Sequence, residues 1–235
     1  GVVDIAEEEI KERGRLQSGE MIGLDLKFGK VLKDDEIISP FAFLKVAEET
    51  RLLSDITRTM LQKSAQAFTD NDFSFSINIP THDLQDENFS QFVEDVLKAN
   101  NIEPSRLILE ILENSSLDSI ENSRNNIRRL HQIGCNIALD DFGAECQNFA
   151  NILNLQLNSI KIDGYFIKNL KDEMSYKMVD SIVYFANNVG IDLVAEFVCD
   201  KEIFDIVNDL GIKYSQGYYI SEPRRYLCDK EDPLS

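Results

Sequence analysis

From residue 73 to residue 216 the chain alternates short apolar runs with longer segments of helical periodicity. Strands are expected at Phe73–Ile79, Leu107–Ile111, Asn136–Leu139, Ser159–Ile162, Leu193–Ala195 and Lys213–Gln216. Helices are expected at Asn88–Asn100, Ser119–Ile133, Gln147–Leu153, Met174–Val189 and Lys201–Leu210. In the first of these, Phe89, Phe92, Val93 and Val96 share one face. Repeated β-then-α units with short turns imply parallel strands joined by crossover helices. Upstream, Met21–Phe28 reads as a strand and Leu53–Phe68 as a helix. Ser39-Pro40 opens another helix over Phe41–Glu49, because proline suits the first helical position. Val2–Ile5 reads as a further short strand, and Ala6–Arg15 as a charged helix or a long hairpin arm. Counting that first strand, there are eight strand candidates, the number that closes a (β/α)8 barrel. No G-x-G-x-x-G fingerprint follows an early strand, which counts against an open dinucleotide-binding sheet. With no linker or low-complexity stretch, the expected fold is one α/β, TIM-like barrel domain over residues 1–235.

Barrel enzymes carry their chemistry at the C-terminal ends of the strands. Reading only those ends collects Asp25, Asn78, Glu110 with Glu113, Asp140 with Asp141, Lys161 with Asp163, Glu196, and Gln216. A single Asp or Asn after a strand is commonly a helix cap or a turn. A whole series on one rim is harder to explain by capping. Acids crowded together need cations, and two hard metals would neutralise them. Paired metals suit in-line displacement at phosphorus. Lys161 is the one base among these residues, placed to position a water or balance charge. Its plainer role is a salt bridge to Asp163 or a neighbouring acid.

Charge and composition narrow the chemistry further. The formal charge is −18, from 24 basic and 42 acidic side chains, which repels nucleic acid polymers and anionic membrane surfaces. His82 and His131 are the only histidines, so a histidine-rich zinc or iron site is disfavoured, and carboxylate and amide ligands suit Mg2+, Mn2+ or Ca2+. No apolar run approaches a spanning helix, and the segment GVVDIAEEEIKER lacks the basic and apolar regions of a signal peptide. Cys135, Cys146, Cys199 and Cys228 form no CxxC pair; reduced thiols and a cytoplasmic setting are expected.

Longer strings at these positions resemble the EAL family, bacterial phosphodiesterases that cut cyclic di-GMP to linear pGpG. GEMIGLDLKFGK resembles the family's G-E-x-x-G-x-E-A-L-x-R-W strand, with Asp25-Leu26-Lys27 standing for the E-A-L tripeptide. FSFSINIP, LILEILENSSL, ALDDFG, SIKIDGYFI, LVAEFV and SQGYYISEP follow in the family's order, so that the likeness spans about Gly19 to Pro223. The resemblance implies a (β/α)8 barrel and two Mg2+ or Mn2+ ions. It assigns Asp25, Asn78, Glu110, Asp140 and Asp141 as metal ligands, with Glu196 beside the metals. Lys161 and Gln216 match residues that contact the reacting water, and Glu113 matches the acid that shapes the loop after DDFG. Cyclic di-GMP is the implied partner; a homodimer and an upstream sensory or GGDEF-type domain accompany the resemblance.

Four positions depart from the family pattern. Asp25 is one methylene shorter than glutamate. Gly29 replaces an arginine, and no glycine can replace a guanidinium fork. Ala144-Glu145 alters the loop after DDFG, and Phe197 with Cys199 alters the A-E-G-V-E segment. The expected function is a degenerate EAL domain, its phosphodiesterase activity weak or absent, acting as a cyclic di-GMP receptor or protein-interaction module. The alternative is an active metal-dependent phosphodiesterase, and an unrelated barrel enzyme on another phosphate ester is the third reading.

Overall fold

The computed structural model describes residues 23–25, 30–32, 40–50, 52–112, 121–143 and 155–222. These fall into two compact units, residues 1–53 and 54–235. The first holds β1 (Gly23–Asp25), β2 (Lys30–Leu32) and α1 (Pro40–Glu49). β1 and β2 pair antiparallel, Asp25 opposite Lys30. β1 falls within the strand expected over Met21–Phe28, whose other residues lie outside the described ones; β2 was not anticipated. Val2–Ile5, Ala6–Arg15 and Gln147–Leu153 lie outside the described residues.

The second unit carries the regular alternation. Its elements are α2 (Leu53–Ala67), β3 (Phe75–Asn78), α3 (Thr81–Gln85), α4 (Phe89–Ala99), β4 (Leu107–Leu112), α5 (Glu121–Ile133) and β5 (Asn136–Phe142). There follow β6 (Ser159–Ile162), α6 (Gly164–Lys168), α7 (Glu173–Val189), β7 (Asp192–Ala195), α8 (Lys201–Asp209) and β8 (Tyr214–Ser215). β3 to β8 form one six-stranded sheet in sequence order, every pair parallel. Two short helices, α3 and α6, were not anticipated: five residues are too few to show an amphipathic period.

Side-chain alternation gives this sheet two chemically different faces. One carries Ile77, Leu109, Ile111, Ile137, Leu139, Ile160 and Ile162, all within the buried apolar core. The helices present matching stripes. In α2 the buried residues are Thr57, Leu61 and Ala65, four apart; in α7 they include Val179, Ile182, Val183 and Ala186. Several helices start on side-chain caps: Asp163 accepts from Tyr165 N at 2.7 Å, Asp172 from Ser175 N at 3.0 Å, and Asp200 from Ile203 N at 2.9 Å. Asp163, one of the strand-end residues, thus also caps α6. α7 ends at Gly190 with φ +76°, a left-handed stop that glycine adopts without cost.

Buried Asn126 on α5 ties three helices together. Its amide donates to Leu84 O and Asp86 O, both at 2.8 Å, and its carbonyl accepts from Ser90 N at 3.3 Å. Asn126→Ala leaves these main-chain groups without partners inside the protein. It is expected to cost about 2–3 kcal/mol, measured by urea unfolding at constant m-value.

A candidate metal centre on the sheet

Strand register decides which residues can meet. Asn78 lies opposite Glu110, Leu112 opposite Asp140, and Lys161 opposite Val194. Register partners on parallel strands share a face, as do residues two apart on one strand. Asn78, Glu110, Asp140 and Lys161 therefore share the face opposite the aliphatic core residues. Glu196 and Gln216 follow the ends of β7 and β8.

One local irregularity adds a second acid. The β5–β6 register shifts between Leu139 and Phe142, and Asp141 has φ +54°. Consecutive residues of a regular strand point to opposite faces. Here the bulge and the left-handed Asp141, a conformation aspartate tolerates better than most residues, bring both carboxylates to one place. Oxygens of Asp140, Asp141 and Glu196 lie within 4.8 Å of one another. β5 extends past the expected Leu139 end, so these acids sit inside the strand rather than after it.

Lys161 stands at the centre. Its Nζ lies 3.1 Å from Glu110 Oε2, 2.8 Å from Asp140 Oδ1 and 2.9 Å from Glu196 Oε1, and all four side chains are buried. The salt bridge goes to these acids, not to Asp163. Gln216 Nε2 donates to Glu196 Oε1 at 2.7 Å and fixes that carboxylate from the other side. Burial works to lower the Lys161 pKa, but the contacts with Asp140 and Glu196 and the charge of Glu110 outweigh it, and the net shift is upward. Burial raises the carboxyl pKa of Asp141, and the charges of Asp140 and Asp163 raise it further. Burial also raises that of Glu196, opposed by its contact with Lys161.

These residues fit a hard divalent cation. Asp140 Oδ1 is a buried acceptor that meets Lys161 as an ion pair at 2.8 Å and has no other polar partner among the described residues, so a metal would share this carboxylate with the lysine. The donors are all oxygens, the set that Mg2+ and Mn2+ prefer. Asn78 is exposed on the same face beside Glu110. Asp25 is described only as the β1 residue paired with Lys30, and Glu113 and the altered loop at Ala144-Glu145 lie outside the described residues.

Two departures singled out from the sequence are visible. Phe197 adopts φ +54°, a region where a bulky side chain is strained, and remains 53% exposed. Cys199 is an exposed free thiol; Cys135 is buried, and burial pushes its thiol up to about 12, as expected of a packing residue. Sequence reasoning missed the contact between Phe197 and Lys168, whose Nζ lies 4.1 Å from the ring centroid. The glycine-to-phenylalanine departure marked the position but not its partner. No helix among the described residues is long and apolar enough to cross a membrane.

The family model described as "EAL domain" matches residues 14–223. The chain is 34% identical over 198 residues to the cyclic di-GMP phosphodiesterase PdeF of Escherichia coli, covering 82% of this chain and 26% of that protein. It is 30% identical over 194 residues to the cyclic di-GMP phosphodiesterase PdeB of Shewanella oneidensis, covering 80% and 23%. The chain thus spans about a quarter of the length of these curated relatives. Among solved structures, the PaMucR phosphodiesterase in complex with c-di-GMP aligns with TM-score 0.75 and 25% identity over 82% of this chain and 83% of that one. The FimX EAL domain of Pseudomonas aeruginosa bound to c-di-GMP aligns with TM-score 0.76 and 22% identity, over 82% of each chain. These likenesses give the fold class as an α/β, TIM-like barrel.

Proposed function

Because the chain belongs to the EAL domain family of cyclic di-GMP phosphodiesterases, we propose that it binds cyclic di-GMP at the acidic cluster around Lys161 and hydrolyses it weakly or not at all. It would then serve as a receptor or protein-interaction module. The observation that carries the binding reading is the convergence of Asp140, Asp141 and Glu196 beside Glu110 and Lys161. Weak hydrolysis is argued from Asp25 and Gly29, a shortened carboxylate and a missing guanidinium.

Asn78, Glu110, Asp140, Asp141 and Glu196, with Asp25, would hold two Mg2+ or Mn2+ ions. When bound, such ions polarise a phosphodiester and lower the pKa of an attacking water. Lys161 would orient that water and balance the carboxylates. Gln216 would keep Glu196 in place, and Glu113 would shape the loop beyond Gly143. A single barrel domain over residues 1–235, a homodimer, linkage to a sensory or GGDEF-type domain and a cytoplasmic setting belong to the same proposal.

A second reading, an active phosphodiesterase yielding linear pGpG, is favoured by how completely Glu110, Asp140, Lys161, Glu196 and Gln216 assemble. Turnover of cyclic di-GMP with Mg2+ and with Mn2+ separates the two. The Asp25→Glu, Gly29→Arg double variant is expected to gain at least about tenfold in turnover, ~1.4 kcal/mol in barrier. Fast turnover by the unaltered chain favours the active enzyme, and no uptake of the dinucleotide with either metal rejects both readings.

A further inference from the structure

We propose that Ser54, His82 and Asp83 form a second cation site, for a borderline divalent metal such as Zn2+, built on residues other than the acidic cluster and independent of the function proposed above. Ser54 lies in the first turn of α2, and His82 and Asp83 lie in α3. Ser54 Oγ is 2.5 Å from His82 Nε2 and donates to Asp83 Oδ1, and Nε2 and Oδ1 are 3.5 Å apart. An imidazole nitrogen, a hydroxyl and a carboxylate oxygen thus meet at one point. Asp83 is 1% exposed, and its second oxygen, also buried, has no hydrogen-bond partner among the described residues. A buried carboxylate with an idle oxygen is costly in the metal-free protein, and a cation beside it relieves that cost.

A Ser–His–Asp hydrolase would place its acid on Nδ1, behind the imidazole. Here the acid approaches Nε2, the same nitrogen that the hydroxyl meets, so the three donors enclose a position instead of forming a relay. With Ser54 donating to Asp83, its oxygen is left to accept from Nε2–H. A metal entering the triangle replaces these hydrogen bonds: the imidazole then carries its proton on Nδ1, and the hydroxyl turns its own outward. Zinc holds nitrogen and oxygen at ~2.0–2.2 Å, which in a tetrahedral shell sets donors about 3.3 Å apart. The Nε2–Oδ1 pair already has nearly that separation, and only the contacts of Ser54 need to widen. The His82 side chain is 49% exposed, which leaves an open side for water to complete the shell. An imidazole among oxygen donors suits Zn2+ better than the oxygen-only set around Lys161 does. Both elements that carry the donors are anchored. Arg58 of α2 reaches Asp86, just past α3, at 2.6 Å, and Asp83 N donates to Pro80 O at 3.0 Å. Donors held from both sides need little ordering when the metal arrives.

The test titrates the full chain with Zn2+ in excess Mg2+, which fills oxygen-only sites, and follows the histidine side chains by nitrogen NMR. The Nε2 resonance of His82 is expected to move to a metal-bound position as zinc saturates, while that of His131 stays. Ser54→Ala and Asp83→Asn should weaken this response roughly 10–100-fold, the scale even for partners that stand behind a metal ligand. His82→Gln identifies the resonance and should remove the zinc-dependent rise in melting temperature. A His82 resonance that zinc leaves unmoved overturns the site, as does one that moves at the same zinc concentration in Ser54→Ala as in the parent. Ser54 is half-buried, so Ser54→Ala decides the matter even where Asp83→Asn fails to fold.

Discussion

Replacing Lys161 by methionine is expected to cost about 3–5 kcal/mol of folding stability in metal-free buffer, the scale for breaking a buried ion pair from one side. Methionine keeps most of the volume of the stem, so packing alone does not account for such a loss. The loss comes from leaving Glu110, Asp140 and Glu196 buried together without the cation that now touches all three. Its pH dependence has a definite sign. The carboxyl pKa values of Asp141 and Glu196 are already raised. Their contribution to stability is therefore present at acid pH and lost as pH rises through their folded values. Without the lysine they rise further, so the deficit should shrink as pH falls toward that range. Adding Mn2+ at neutral pH should recover much of it. Chemical unfolding at several pH values, with and without Mn2+, measures each of these; a variant as stable as the parent at neutral pH would remove Lys161 from the centre of the cluster.

The second large effect is expected at Gly217. A Cβ there would fall 2.3 Å from both the nitrogen and the oxygen of Val198, main-chain atoms that cannot swing aside. Val198 is fully buried and bonded to Gln216 and Tyr219. Gly217→Ala must therefore spread the ends of β7 and β8, costing roughly 3 kcal/mol or more. The same displacement pulls Gln216 from Glu196, so dinucleotide and metal affinity should fall along with the melting temperature. Retention of both at wild-type levels would show that the two strand ends can separate without harm.

How much of this was legible beforehand differs between fold and site. The alternation from β3 onward was readable because parallel strands flanked by helices leave two distinct periods in the sequence. Ser159–Ile162 and the helix near Met174–Val189 come out within a residue of expectation. The β1–β2 pairing was not readable, since three-residue strands carry too little pattern to reveal it. At the site, strand ends named Glu110, Asp140, Lys161, Glu196 and Gln216 as residues facing one region, because strand ends on a common sheet converge whatever their separation in sequence. What they could not supply was the direction of each contact. Nothing in the residue order says that Lys161 reaches Glu110, Asp140 and Glu196 while Asp163 caps α6. The doubled acid was likewise ambiguous. Asp140 and Asp141 written side by side would ordinarily face opposite ways, and only a backbone irregularity reconciles them.

That irregularity gives β5 something like a reading frame. Upstream of it, odd and even positions keep one assignment to the two sides of the sheet; between Leu139 and Phe142 the assignment slips, and the paired acids occupy the slip. Losing or gaining one residue here would move aliphatic side chains into the polar mouth and carboxylates into the oily layer. The chain can absorb changes of length in its surface turns, but at this point its spacing is as much a part of the site as its chemistry.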